Sequence, residues 1–141
     1  RELLAGTAVS TDDKALANLV IGKAAQENKN FEEAIKSYNA VITQNKAALA
    51  AEARYGIAAI LFDQNKLTDA EKAAFETINK SGSYGYWVTK SYLLLGDIYF
   101  RQKDYFNAKA TYKSVVENGI AETLKAEAKT KLQQVIAAEK K

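Results

Sequence analysis

Six small residues recur at fixed distances, and they constrain this chain more than any other feature. Gly22, Ala58 and Gly96 step by 36 and then 38 residues, and Ala34, Ala70 and Ala108 repeat the same two steps. Two helices that cross closely need a small residue at the crossing, because a larger side chain pushes the axes apart and opens voids around the contact. A recurrence of this length is the mark of stacked helix pairs.

The apolar spacing agrees. Leu16, Leu19, Val20, Ile21 and Ala24 predict a helix that starts at Ser10-Thr11-Asp12-Asp13, with capping oxygens and first-turn acids, and runs to about Asn28. Phe31, Ala34, Ile35, Tyr38, Val41 and Ile42 predict a second helix to about Thr43, capped by Asn30 with Glu33 as its reciprocal partner. Further helices are expected from about Ala48 to Asp63, from a capping box at Thr68 to Lys80, and from Tyr86 to Gln102. Asp104 should cap the next, which Asn118-Gly119 closes, and a last helix should span Ala121 to Glu139. Gly82 is expected to supply a left-handed residue after Lys80. The absence of proline fits a chain that is helical almost throughout.

The third unit carries the fullest signature. Tyr92, Leu95-Gly96 and Tyr99 are followed by Ala108 and Tyr112, in the spacing of an aromatic, Leu-Gly, Tyr, Ala and an aromatic. The chain here resembles the tetratricopeptide repeat family. Ile21, Ile57 and Leu95 fill one large-residue slot of the pattern, and Phe31, Leu67 and Tyr105 another. The leading aromatic slot departs from it in the first two units, with Asn18 and Arg54, and the slot of the terminal proline holds Lys46 and Gly82.

The resemblance implies an all-α, right-handed α-solenoid of antiparallel helix pairs. Three repeats are expected at 12–50, 51–88 and 89–119. Residues 1–11 form a leader or the end of a preceding repeat, and 120–141 a C-terminal capping helix. That helix echoes Ala51-Glu52-Ala53-Arg54 with Ala126-Glu127-Ala128-Lys129, but has Gln133 where the small residue stood. Gln133 is read as the polar face of a cap, so this end is expected to be a true end of the solenoid and the other end is not.

Absences narrow the chemistry. With neither Cys nor His the chain has no thiolate, imidazole base or metal site built on them. Ser81-Gly82-Ser83-Tyr84-Gly85 lacks the lysine and preceding strand of a phosphate loop. The pairs Asp12-Asp13 and Glu32-Glu33 are helix-start acids rather than catalytic carboxylates. A net charge of +3, dispersed along the chain, argues against nucleic acid, and no apolar run is long enough to insert in a membrane. No enzyme activity and no cofactor are expected.

In the resembled family the first helix of each repeat lines a concave groove. Carried over by spacing, that groove takes Leu16, Leu19, Lys23 and Gln26, then Glu52, Tyr55, Ala59 and Phe62, then Lys90, Leu93, Asp97, Phe100 and Arg101. The last helix would add Glu127, Thr130, Gln134 and Ala137. The aromatics among them are suited to anchor a ligand, unless the solenoid's curvature or the leader covers them. Trp87, beside Tyr84 and Tyr86, reads as a packing plug at a helix start. Family members that clamp an acidic C-terminus use Lys, Asn and Arg at set slots. Those slots hold Leu19, Val20, Lys23, Glu52 and Gly56, so that ligand is disfavoured.

The expectation is a non-catalytic scaffold that binds a protein or peptide partner. The alternative is a structural C-terminal segment of a longer array, its groove filled by its own chain, or an accessory domain of a multidomain protein. The middle repeat resembles bacterial repeat proteins of the cell envelope, which makes the periplasmic side the expected location.

Overall fold

The computed structural model describes residues 11–44 and 47–141. Among the described residues seven helices follow one another: α1 (Thr11–Glu27), α2 (Phe31–Gln44), α3 (Ala48–Asp63), α4 (Leu67–Lys80), α5 (Gly85–Arg101), α6 (Tyr105–Asn118) and α7 (Glu122–Glu139). They pack as antiparallel pairs, and no strand occurs among the described residues. The expected leader over residues 1–10, its Ser10 cap and Lys46 lie outside the described residues.

The turns inside the three pairs share one construction. Lys29, Asn65 and Lys103 have positive φ of 61, 61 and 63°, at the same 36- and 38-residue steps as the small slots. After each, a backbone N–H reaches five residues back: Asn30 to the Ala25 carbonyl, Lys66 to Leu61 and Asp104 to Tyr99, at 2.8–2.9 Å. This double-bonded C-terminal motif satisfies carbonyls that the helix end would otherwise leave open. The left-handed residue therefore sits after the first helix of each pair. Gly82, expected in that role after α4, does not adopt it.

The caps differ in two places. Asp104 accepts the Asn107 N–H at 3.2 Å, as its position suggests. The Asn30 amide instead donates to the Glu33 carboxylate at 2.9 Å. Thr68 is no cap: α4 begins at Leu67 after Lys66, which makes no side-chain capping bond. The five-back bond to Leu61 precedes α4 as its counterpart precedes α6, but here the helix starts without a capping oxygen.

Tight approach at the small slots has a definite cause. A methyl placed on Gly22 would lie 2.7 Å from the Tyr38 ring, and one on Gly56 would lie 2.6 Å from the opposite edge of that ring. Tyr38, only 2% exposed, thus lies between α1 and α3 in space that two glycines vacate. Its hydroxyl passes between the helices and donates to the side-chain amide oxygen Oε1 of Gln26 at 2.6 Å. In the third pair, Tyr112 takes the same slot against Gly96, and its hydroxyl donates to Asp97.

The middle pair reaches the same closeness differently. Ala58 stands in the glycine slot and Ala74 in the tyrosine slot, both fully buried. Leu94 of α5 occupies the register position of Gly56 and packs into the same cluster, where it supplies the volume that the missing ring does not. In α7 that register position is Lys131, whose ammonium holds Asp97 at 2.9 and 3.0 Å and Glu127 at 2.9 Å.

Three outcomes follow from this packing. Gly56→Leu and Gly96→Leu should each cost on the order of 1–3 kcal/mol or more through over-packing. Gln133→Leu, at an exposed position, should leave chemical denaturation at the parent midpoint. Lys103→Gly should stabilise. Relief of a left-handed non-glycine residue, of order 1–3 kcal/mol, exceeds the backbone entropy of a glycine, roughly 0.5–1 kcal/mol, so its Tm should rise by a few degrees.

Burial pushes the phenols of Tyr38 and Tyr99 up to about 12 from the usual 10.0, and Glu52 and the Glu71 hydrogen bond respectively add to it. Burial, then Asp97, raises Tyr112 further. The folded state favours the neutral phenol, so this stabilisation is complete below pH 10.0 and is lost as pH rises through about 12. Tyrosinate absorbance of the folded chain should lag that of the denatured chain across this window, and Tyr38→Phe should remove one late-titrating group.

Candidate ligand groove

The first helices of the pairs, α1, α3 and α5, line a cleft of about 500 Å³. The small slots place these helices, because each second helix presses its own first helix against the next one. Lys23, Gln26, Glu52, Tyr55 and Lys90 all line this cleft, so five of the residues expected from spacing come together.

Their arrangement is cross-linked. Lys23 on α1 pairs with Glu52 on α3 at 2.9 Å, and the hydrogen bond to that carboxylate holds the lysine above its ordinary pKa. Lys90 on α5 sets its ammonium 5.0 Å from the centre of the Tyr55 ring. Trp87 packs its ring 5.7 Å from Tyr55, while Tyr86 meets Trp87 edge-on at 5.0 Å. Tyr55 is half-buried, and its phenol is raised first by that burial and then by the charge of Asp97.

Other expected groove residues lie elsewhere. Leu19 and Leu93 are 4% and 2% exposed, so they belong to the core and offer no surface to a ligand. Both face the second helices, because the inward stripe is narrower than a three- and four-residue step from Leu16 or Lys90 suggests. Leu16 is exposed but outside the cleft lining. Arg101 stacks 3.9 Å over Phe62 and donates to its carbonyl at 3.2 Å, which clasps the end of α5 to α3. Asp97 is engaged by Tyr112 and Lys131, and Phe100 packs 6.0 Å from Tyr105 against the α6–α7 core.

The cleft also contains residues the spacing did not single out: Glu27, Lys29, Tyr38, Gly56, Asp63 and Trp87. Trp87 was readable as a plug, yet it lies three residues before Lys90 on the same helical face, and that is the signal for the cleft. Tyr38 comes from a second helix. Only the two glycines facing it reveal that its hydroxyl reaches the concave side.

Chemically the cleft offers an aromatic pair and both signs of charge in equal number, Lys23, Lys29 and Lys90 against Glu27, Glu52 and Asp63. Among the described residues no group of three or more His, Cys, Asp or Glu is placed to hold a metal ion. No described helix is long and apolar enough to cross a membrane.

No curated protein matches the chain. Its fold is similar to that of the TPR domain of Arabidopsis OM64, with a TM-score of 0.67 and 21% identity over 89% of this chain and 98% of that one. Models of the tetratricopeptide repeat match residues 19–85 and residues 90–118. Those spans take in the glycine and alanine slots of all three pairs and every first-helix residue of the cleft from Lys23 onward except Trp87. The chain belongs to the tetratricopeptide repeat family, whose domains generally serve as protein-interaction scaffolds.

Proposed function

We propose that this chain is a non-catalytic scaffold that holds a peptide segment of a protein partner in the cleft between α1, α3 and α5. The observation that carries the reading is the Tyr55–Trp87 pair, half-buried side by side in a cleft of about 500 Å³ and flanked by Lys90. Rigid aromatic side chains of this kind lose little entropy when a ligand covers them, and they dominate the energetics of interfaces. An apolar side chain of the segment would lie on this pair. Backbone and charged groups on either side would meet the mixed charges of the cleft.

Trp87 is the single tryptophan of the chain, so its fluorescence reports directly on occupation of the cleft. A protein captured from native lysate and identified by mass spectrometry should, when titrated, shift that emission. Tyr55→Ala should weaken its binding by at least tenfold. Both residues are only partly buried, so Tyr55→Ala and Trp87→Ala should each cost less stability than the 3–5 kcal/mol of a fully buried aromatic. Unchanged emission, or unchanged affinity in Tyr55→Ala, would place the interaction outside the cleft.

A further inference from the structure

Tyr38 and Tyr112 occupy the same glycine-faced slot, and their hydroxyls end on different partners. Tyr112 donates to the Asp97 carboxylate, whose two oxygens Lys131 also holds. A carboxylate has only acceptors, and here they are already engaged within the stack. Tyr38 donates to Oε1 of Gln26 at 2.6 Å. That partner is an amide, so one end accepts the phenolic proton while the other, Nε2, keeps its N–H groups to give.

The hydrogen bond decides which end of the amide points outward. Tyr38 is 2% exposed with its ring held between Gly22 and Gly56, so its hydroxyl cannot swing to another acceptor. With the amide turned over, an N–H would meet the hydroxyl and the phenolic proton would lose its acceptor. Oε1 therefore stays on Tyr38. Gln26 is half-buried and lines the cleft, and among the described residues its Nε2 has no partner. Gln64 Oε1 is the only buried side-chain nitrogen or oxygen without a partner among the described residues, so Nε2 of Gln26 lies open to the cleft.

Its neighbours on the α1 wall are otherwise occupied. Lys23 is held by Glu52 at 2.9 Å, and Glu27 has no proton to give. Gln26 is thus the uncharged donor of that wall, next to Lys29 of the turn. A peptide that lays a side chain on Tyr55 and Trp87 covers backbone carbonyls as well, and a buried carbonyl without a donor is costly. A neutral amide meets that need with less loss of hydration than an ammonium.

On the reading of the cleft as a peptide site, we propose that Gln26 binds a backbone carbonyl of the ligand through Nε2. Tyr38 is the positioning residue that holds the amide with this end outward. Its ring sets the distance between α1 and α3, while its hydroxyl selects which atom of Gln26 the ligand meets.

The test uses the whole chain and linear peptides selected on it from a random library, kept if they shift the Trp87 emission. Tyr38→Phe leaves the ring between its glycines and removes only the hydroxyl. Gln26→Met keeps the length of the side chain and removes the amide. Gln26→Met should bind the peptide about three- to tenfold more weakly, the worth of a neutral hydrogen bond, and Tyr38→Phe should lose much of the same. Both should melt near the parent. The double variant should be no weaker than Gln26→Met alone, because the hydroxyl acts only through the amide. Replacing successive peptide amides by esters, whose carbonyls accept poorly, should find one position that weakens binding to the parent and not to Gln26→Met. Parent-like affinity in either single variant overturns the proposal, as do additive losses in the double variant. So does an ester scan that reads the same on parent and Gln26→Met. In each of these results the Trp87 signal of the bound peptide leaves the cleft reading in place, whereas a library that yields no such peptide overturns both. If Tyr38→Phe melts early, Gln26→Glu replaces it. Its carboxylate still accepts from Tyr38 but has no N–H, so the fold should hold and affinity should fall by at least the same factor.

Discussion

The ring of Tyr38 held between Gly22 and Gly56 is the contact on which the rest of the structure depends. An aromatic side chain of α2 spans the whole distance between α1 and α3, and it does so only because two backbones leave space for it. Interior packing of this kind admits no partial version: a single methyl on either glycine falls within 2.7 Å of the ring. The spacing of α1 and α3 is thereby set by the edge-to-edge width of one phenol ring. The cleft between them, with the Lys23–Glu52 pair across it, inherits that dimension.

The three pairs solve one geometric problem with two sets of volumes. Glycine against tyrosine in the first and third pairs becomes alanine against alanine in the second, with Leu94 moved in from the next helix. Volume lost at one position is restored at another, and the helix spacing needed for stacking is retained. The third pair adds a polar version of the seam. Tyr112, Asp97, Lys131 and Glu127 form a continuous chain of hydrogen bonds and ion pairs from α6 through α5 to α7. Burial works against the charge of Lys131, yet Asp97 and Glu127 outweigh it and hold its pKa above the ordinary lysine value.

Much of this was legible in the sequence because it rests on periodic demands. The small slots at Gly22, Ala58 and Gly96 recur, so their steps located the crossings, and the helix boundaries fell within two residues of expectation. What escaped was either aperiodic or a backbone conformation or orientation that spacing does not report. Gly56 has no small counterpart, since Leu94 and Lys131 stand in its register, and nothing in the repeat marks it as a crossing residue. Leu19 and Leu93 looked inward because helical spacing cannot tell the groove face from the core face one position away. Lys29 and Lys103 hide a left-handed backbone behind side chains that rarely adopt one, and glycine at 82 drew the eye to the wrong turn. The composition of the cleft was partly readable. Its extent was not, since Tyr38 and Trp87 enter it from a second helix and from a helix start.

Because the hydroxyl of Tyr38 emerges on the concave side, the outer layer of helices is part of the surface a ligand would meet. At that pair, recognition and stability share one side chain, and neither property is free to drift without the other. The middle pair, with Ala74 in the same slot, carries no such double duty. Apart from Gly56, which lines the cleft and meets the Tyr38 ring, sequence change there alters the stack without touching the cleft, or the cleft without touching the stack. The repeat thus contains one pair locked by its own packing beside another open to variation, which leaves α3 and the start of α5 as the ground where new specificity is easiest to acquire.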